Sequence, residues 1–191
     1  MDIKGTSTEK NLMAAFQGES MARNKYLFFA ERAREENHNE IAELFESLAT
    51  NEGMHGKLLY QKLKGVDTTS KNLQTAANGE YGEWHSMYPQ FAEEARKEGF
   101  EDIAKLFENI AKIEKDHEYR FMKALMTLMS GSNNKDTSKT EIDKTEEVKK
   151  TTIVSGYRCM FCGAVFEERP DVCPVCEAIG SFEETKIKKD L

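Results

Sequence analysis

Two Glu-x-x-His sequences, Glu52…His55 and Glu114…His117, stand at matching places in two similar halves of this chain. On an α-helix, residues three apart project from one face with Cβ atoms roughly 5–6 Å apart, so each pair forms a carboxylate–imidazole claw. A further glutamate lies upstream of each claw, Glu19 before the first and Glu80 before the second. Two claws plus a glutamate from each of two other helices are the donor set of a carboxylate-bridged di-iron site in a four-helix bundle. Glu52 and Glu114, each one turn from a histidine, are suited to bridge, and Glu19 and Glu80 to be terminal ligands. Four carboxylates balance two Fe(II) ions. Glu83, three residues after Glu80 on the same face, adds a fifth carboxylate that only a diferric pair needs. It reads as a redox-dependent ligand, replaced by His55 in the reduced state because a neutral imidazole suits Fe(II).

The four cysteines form a second constellation. They cluster as Cys159-x-x-Cys162 and Cys173-x-x-Cys176, with Gly163 after the first pair and Pro174 inside the second. A disulfide framework would scatter its cysteines, whereas this clustering predicts metal ligation in a reducing compartment. Four thiolates in tetrahedral array suit zinc or iron. A redox-active bundle on the same chain tips the choice to iron, which then serves as a one-electron carrier.

Several residues have a plainer reading. Glu35…His38 repeats the claw spacing, but it falls in a polar turn, and its counterpart Lys97…Phe100 lacks a histidine. His85 has no mate and reads as a surface group or one outside the ligand shell. Tyr26 and Tyr88, two turns beyond Glu19 and Glu80, are suited either to hydrogen-bond ligand carboxylates or simply to pack. Met122, Met126 and Met129 read as core filler or surface next to a linker.

Helices must carry these residues. Helical periodicity runs from about 6 to 64, broken by the polar turn 35–39, and the second helix is expected to end near Gly65. The stretch 65–78 is polar and aperiodic, which fits a long crossover in a ferritin-like bundle. Helices over about 79–97 and 101–129 complete the set. Ala30-Glu31-Arg32-Ala33-Arg34 aligns with Ala92-Glu93-Glu94-Ala95-Arg96 at an offset of 62, yet Glu19 aligns with Glu80 at 61. One extra residue therefore enters between Glu80 and Ala92, as a π-bulge would require, and Pro89 adds to the irregularity there.

Residues 131–152 are almost devoid of apolar side chains and read as a flexible linker. The expected organisation is a helical domain over 1–130, that linker, and a four-cysteine domain over 153–191. A segment of about forty residues rarely builds an adequate core without a metal staple. The net charge of −7 argues against nucleic acid, which needs a basic face. No apolar run reaches the roughly 18–20 residues of a membrane span, and the first residues lack a signal-peptide core. The expected location is cytoplasmic.

At this point the chain resembles the rubrerythrin family. The resemblance rests on Gly18-Glu19-Ser20-x-Ala22-Arg23-Asn24, Glu52-x-x-His55, Gly79-Glu80-x-x-Glu83, Met87-Tyr88-Pro89-x-Phe91-Ala92 and Glu114-x-x-His117. Tyr157-Arg158-Cys159-x-x-Cys162-Gly163 and Cys173-Pro174-x-Cys176 are similar to its rubredoxin-type tail. The resemblance implies a ferritin-like bundle with a small rubredoxin-like β/loop domain, two irons in the bundle and one in the four-cysteine site. It implies one iron held by Glu19, Glu52, Glu114 and either Glu83 or His55, and the other by Glu52, Glu80, Glu114 and His117. It also implies a peroxidase that reduces hydrogen peroxide to water, with electrons from NAD(P)H through a reductase and the rubredoxin-like centre. Family members form homodimers in which the tail of one subunit serves the bundle of the other. The rival reading is a ferritin-like ferroxidase or iron-handling protein, against which the attached electron carrier argues.

Overall fold

The computed structural model describes residues 2–131 and 151–190, so most of the expected linker lies outside the described residues. The chain divides into two compact units, residues 1–68 and 69–191.

The first unit is a helical hairpin of α1 (Ser7–Glu35) and α2 (Asn39–Lys62). Thr6 caps α1, its hydroxyl accepting from the Glu9 amide at 3.2 Å while the Glu9 carboxylate accepts from the Gly5 amide at 2.6 Å. At the turn, Asn37 takes the left-handed conformation at φ 63°, and the His38 amide bonds back to the Ala33 carbonyl at 2.7 Å. Ala30, Ala33 and Ala42 are buried beneath Phe45, because small residues let the two helices approach closely.

The second unit begins with α3 (Thr69–Gly82), followed by a π-helical turn (Glu83–Met87), α4 (Tyr88–Lys97) and α5 (Glu101–Met129). Both α3 and α4 pack along α5. The hairpin of α4 and α5 repeats the first one residue for residue. Ala92, Ala95 and Ala104 lie beneath Phe107, and Gly99 takes the left-handed position of Asn37 at φ 89°. Arg96 reaches Glu108 at 2.8 Å as Arg34 reaches Glu46 at 2.6 Å.

Two boundaries differ from expectation. The stretch 65–78 is mostly helical from Thr69 onward, since Leu73, Ala77 and Glu80 share a face and Ala77 is buried. Its polarity reflects a helix with a narrow apolar stripe. At the end of α2 the left-handed residue is Lys64, at φ 56°, not Gly65. Gly65 donates to the Tyr60 carbonyl at 2.9 Å and lies so close to the Tyr60 ring that a Cβ would collide with it. The extra residue between Glu80 and Ala92 is absorbed by the π-helical turn, as the slip in the repeat predicts, and Pro89 falls directly after it in the first turn of α4.

The tail is a three-stranded antiparallel sheet in the order β2-β1-β3, with β1 (Thr151–Cys159), β2 (Val165–Phe166) and β3 (Phe182–Asp190). Two equivalent turns follow from the cysteine pairs. The Gly163 amide bonds to the Cys159 carbonyl at 3.0 Å and the Glu177 amide to that of Cys173 at 2.9 Å. Gly163 and Glu177 both have positive φ, 80° and 60°.

Candidate metal centres

Each half of the repeat gathers its own claw. In the first unit Glu19 on α1 meets Glu52 and His55 on α2, with one donor atom from each lying within 4.8 Å of the others. His55 Nδ1 stands 2.8 Å from Glu52 Oε2 and 3.9 Å from Glu19 Oε2. In the second unit Glu80 on α3 meets Glu114 and His117 on α5 within the same span, and His117 Nδ1 lies 2.6 Å from Glu114 Oε2. In both, Nδ1 is the nitrogen turned toward the carboxylates. Carboxylate oxygens and one imidazole nitrogen at this spacing fit a divalent iron, a borderline cation that accepts both donor types.

The second cluster is crowded with charge. Burial, then the Glu114 carboxylate, pushes the Glu80 carboxyl up to about 7. Burial and Glu114 likewise raise Glu83, the first residue of the π-helical turn. Glu83 thus lies within electrostatic reach of Glu114 and His117 but outside the tight trio. Burial, followed by the charges of Glu83, Glu114 and Glu80, raises the Tyr88 hydroxyl, whose ring lies against Phe107 at 6.0 Å. Tyr26 lies against Phe45 at the same separation, so both tyrosines have the packing role.

This crowding has a consequence for stability. Without metal, the folded protein holds a proton on Glu80 that the unfolded chain releases near the ordinary 4.5. The folded state then binds more protons between those values, so the stability of metal-free protein falls as pH rises from about 4.5 to about 7 and levels off above. Thermal melts of chelator-treated protein across that window check this against Glu80→Gln, which should flatten the slope. Equal slopes in the two proteins would contradict it.

Three residues that sequence reasoning passed over secure the π-helical turn. Trp84, the only tryptophan in the chain, donates from Nε1 to Glu118 Oε2 at 2.7 Å, and Lys115 Nζ lies 4.9 Å over its ring. Glu118 and Lys115 flank the His117 helix face, so the indole ties the segment bearing Glu83 to α5. The available signal was a lone tryptophan next to a surplus glutamate. The remaining candidates follow their plainer readings. His38 precedes α2 in the turn, His85 is exposed and stacks on Tyr81 at 4.8 Å, and Met122, Met126 and Met129 are exposed.

The four cysteine sulfurs also lie within 4.8 Å of one another. Cys159 Sγ is 3.7 Å from Cys176 Sγ, and Cys162 Sγ is 3.7 Å from Cys173 Sγ. A tetrahedron with metal–sulfur bonds of about 2.3 Å has edges of about 3.8 Å, so the thiols fit a single tetrahedral ion. Burial raises the Cys159 thiol, but hydrogen bonds from the Cys162 and Phe161 amides and from neighbouring thiols outweigh it and bring the group down to about 7. Burial raises Cys162 and Cys176. Of these three, Cys159 is the thiol closest to its thiolate form, and Cys162 and Cys176 would ionise on binding.

Among the described residues no helix is long and apolar enough to cross a membrane. The family model described as Rubrerythrin matches residues 10–125. Rubrerythrin of Porphyromonas gingivalis is 38% identical, the alignment covering 91% of this chain and 87% of that protein. Rubrerythrin of Nitratidesulfovibrio vulgaris is 35% identical over 91% of each chain. A putative rubrerythrin of Methanocaldococcus jannaschii is 35% identical over 98% of this chain and 96% of its own.

Proposed function

This chain belongs to the rubrerythrin family, di-iron oxidoreductases of oxidative-stress defence, and from that premise we propose that it is a peroxidase reducing hydrogen peroxide to water. The observation that carries this reading is the joining, on one chain, of a duplicated glutamate–histidine donor set to a four-thiolate site. Storage or simple oxidation of iron needs no attached electron carrier.

We assign Glu19, Glu52 and His55 as one half of the donor set and Glu80, Glu83, Glu114 and His117 as the other. Cys159, Cys162, Cys173 and Cys176 are the ligands of the third ion. Residues 1–130 form the di-iron domain and 153–191 the carrier domain, joined by the linker 131–152. When bound, the iron pair supplies one electron from each ion to the O–O bond, and the thiolate-held iron replenishes them singly from NAD(P)H through a reductase. Glu52 and Glu114 would each present a carboxylate beside its own histidine, at contacts of 2.8 and 2.6 Å. Nδ1 of each ring is the nitrogen that faces the carboxylates and would be offered to a cation held there. Glu80 and Glu83, raised by burial and by Glu114, would give up their protons to hold a cation.

Glu83 sits where the helix is locally wider, so its carboxylate moves without dragging a regular helical turn. Glu83→Ala is expected to lower the affinity for the diferric pair by roughly tenfold, as a charged ligand is lost where the metal charge is highest, and to spare the diferrous affinity. Iron retention after oxidation, compared with retention under dithionite, measures the difference. Equal losses in both states would remove the ligand switch.

The function itself is tested by metal analysis, a visible spectrum, and NADH-dependent peroxide consumption once a reductase is supplied. About three irons per chain with thiolate-to-iron bands and peroxide turnover support the enzyme. Zinc in the tail would favour a structural zinc module on a helical scaffold, and iron uptake without peroxide turnover an iron-handling protein.

A further inference from the structure

At four matched positions around the metal donors the two halves of the repeat carry different side chains. Glu83 and Trp84 stand where the first half has Ala22 and Arg23, at the offset of 61 that aligns Glu80 with Glu19. Lys115 and Glu118 stand where it has Gly53 and Gly56, at the offset of 62 that aligns Glu114 with Glu52. The first half lacks the inserted residue, and it also lacks the three side chains that secure the turn around Glu83. There α1 runs unbroken over Ser7–Glu35, and the Arg23 side chain lies over Gly53, where a Cβ would stand 3.2 Å from its Cδ and Nε. In the second half the helix widens over Glu83–Met87, the Tyr88 amide reaching back five residues to the Glu83 carbonyl. The half-buried indole of Trp84 donates to Glu118 Oε2 at 2.7 Å and has Lys115 Nζ 4.9 Å over its ring. Tyr81 and His85, stacked on each other, meet the indole edge to face at 5.4 and 5.6 Å.

An inserted residue has no fixed place in a helix of its own accord. Shifting a π-helical turn along the chain by one residue exchanges one hydrogen bond of each type for the other and leaves their number unchanged. Each such shift turns the side chain it passes by about 100°, enough to swing a carboxylate off the metal-facing side. The chain before the turn offers little resistance, since Gly79 and Gly82 are poor helix formers and a Cβ at either would meet nothing within 4 Å. The restraint must come from outside the helix, and Trp84 supplies it across 34 residues. We infer that Trp84 is a positioning residue: its hydrogen bond to Glu118, one residue beyond His117, pins the insertion at Glu83–Met87 and keeps the Glu83 carboxylate within reach of Glu114 and His117. The surplus ligand of the second half then depends on a tie that the first half does not possess. The pin rests on the reading of Glu83 as the redox-dependent ligand proposed above.

Iron retention by the full chain, measured after oxidation and again under dithionite, tests the pin. Trp84→Phe keeps a ring beneath Lys115 but cannot donate. It should lower iron affinity in the oxidised state by roughly fivefold and spare the reduced state, as expected for one lost hydrogen bond. Glu118→Leu removes only the acceptor, leaves the indole in place and should give the same loss. Glu118→Gln retains an acceptor oxygen and should hold oxidised iron nearly as the wild type does. In a Glu83→Ala chain neither Trp84→Phe nor Glu118→Leu should lower affinity further, because a pin acts only through the carboxylate it positions. Losses that add to that of Glu83→Ala, or that are equal in both redox states, would overturn the pin and leave Trp84 a packing residue. A loss in Glu118→Gln as deep as in Glu118→Leu would overturn it as well. Wild-type retention of oxidised iron in Glu83→Ala would remove the ligand switch, and the pin with it. None of these measurements uses peroxide, so an absence of peroxide turnover would remove the peroxidase reading alone.

Discussion

Cys159→Ser is expected to stop NADH-driven peroxide turnover, by roughly 10³-fold or about 4 kcal/mol of activation free energy, while the two irons of the helical domain stay bound. The variant removes the thiol brought down to about 7 by the Cys162 and Phe161 amides against the effect of burial. A serine oxygen is a poor ligand for an ion that favours soft thiolates, and its hydroxyl does not ionise near neutral pH. Three sulfurs then hold the ion loosely and shift its potential. Cys159 is also buried, 1% exposed, at the end of β1, so the replacement leaves a polar group in an apolar cluster. The thiolate-to-iron bands should fade and the Tm of the tail should fall. A single turnover with prereduced protein should survive, because the electrons already stored in the pair need no carrier. Full steady-state turnover in this variant would take the tail out of the electron path.

Glu114→Ala is expected to have the larger effect on metal. It removes the carboxylate that lies against His117 Nδ1 and joins Glu80 in the trio, so iron should fall from about three per chain to about one, held by the tail. Peroxide turnover should be lost with it. The same change should stabilise the metal-free protein. Glu114 is the first-named charge raising both Glu80 and Glu83 after burial, and without it both carboxyls move back toward their ordinary range. The destabilisation of metal-free protein between about 4.5 and about 7 should shrink accordingly. Iron analysis and melts of the chelated protein read the two effects separately. Retention of three irons would show that Glu114 is not a ligand.

The legibility of this chain differs sharply between local and distant features. Glu52 with His55, and Glu114 with His117, are three residues apart, and helix geometry alone brings them together at 2.8 and 2.6 Å. The cysteine pairs are equally local, because the turn after each is closed by its own backbone hydrogen bond. The π-helical turn at Glu83–Met87 was readable from counting, since one residue too many between two matching helical stretches has few places to go. The start of α3 was harder. Thr69, Ser70 and Asn72 are weak helix formers, and packing of the Leu73–Ala77 stripe decides the matter over propensity.

The sequence by itself determined the donor types, their spacing and the slip that makes the halves unequal, because each depends on residues within a few helical turns. Only the tertiary structure decided that the Trp84 indole is tied to Glu118, 34 residues away, and that Arg158 meets Asp116 across 42. Such contacts depend on where the chain returns after a turn or linker, which no spacing along one element encodes. Gly163 combines the two kinds of information. Its place after Cys162 marks a tight turn in any reading of the sequence, but only the fold brings His117 against it.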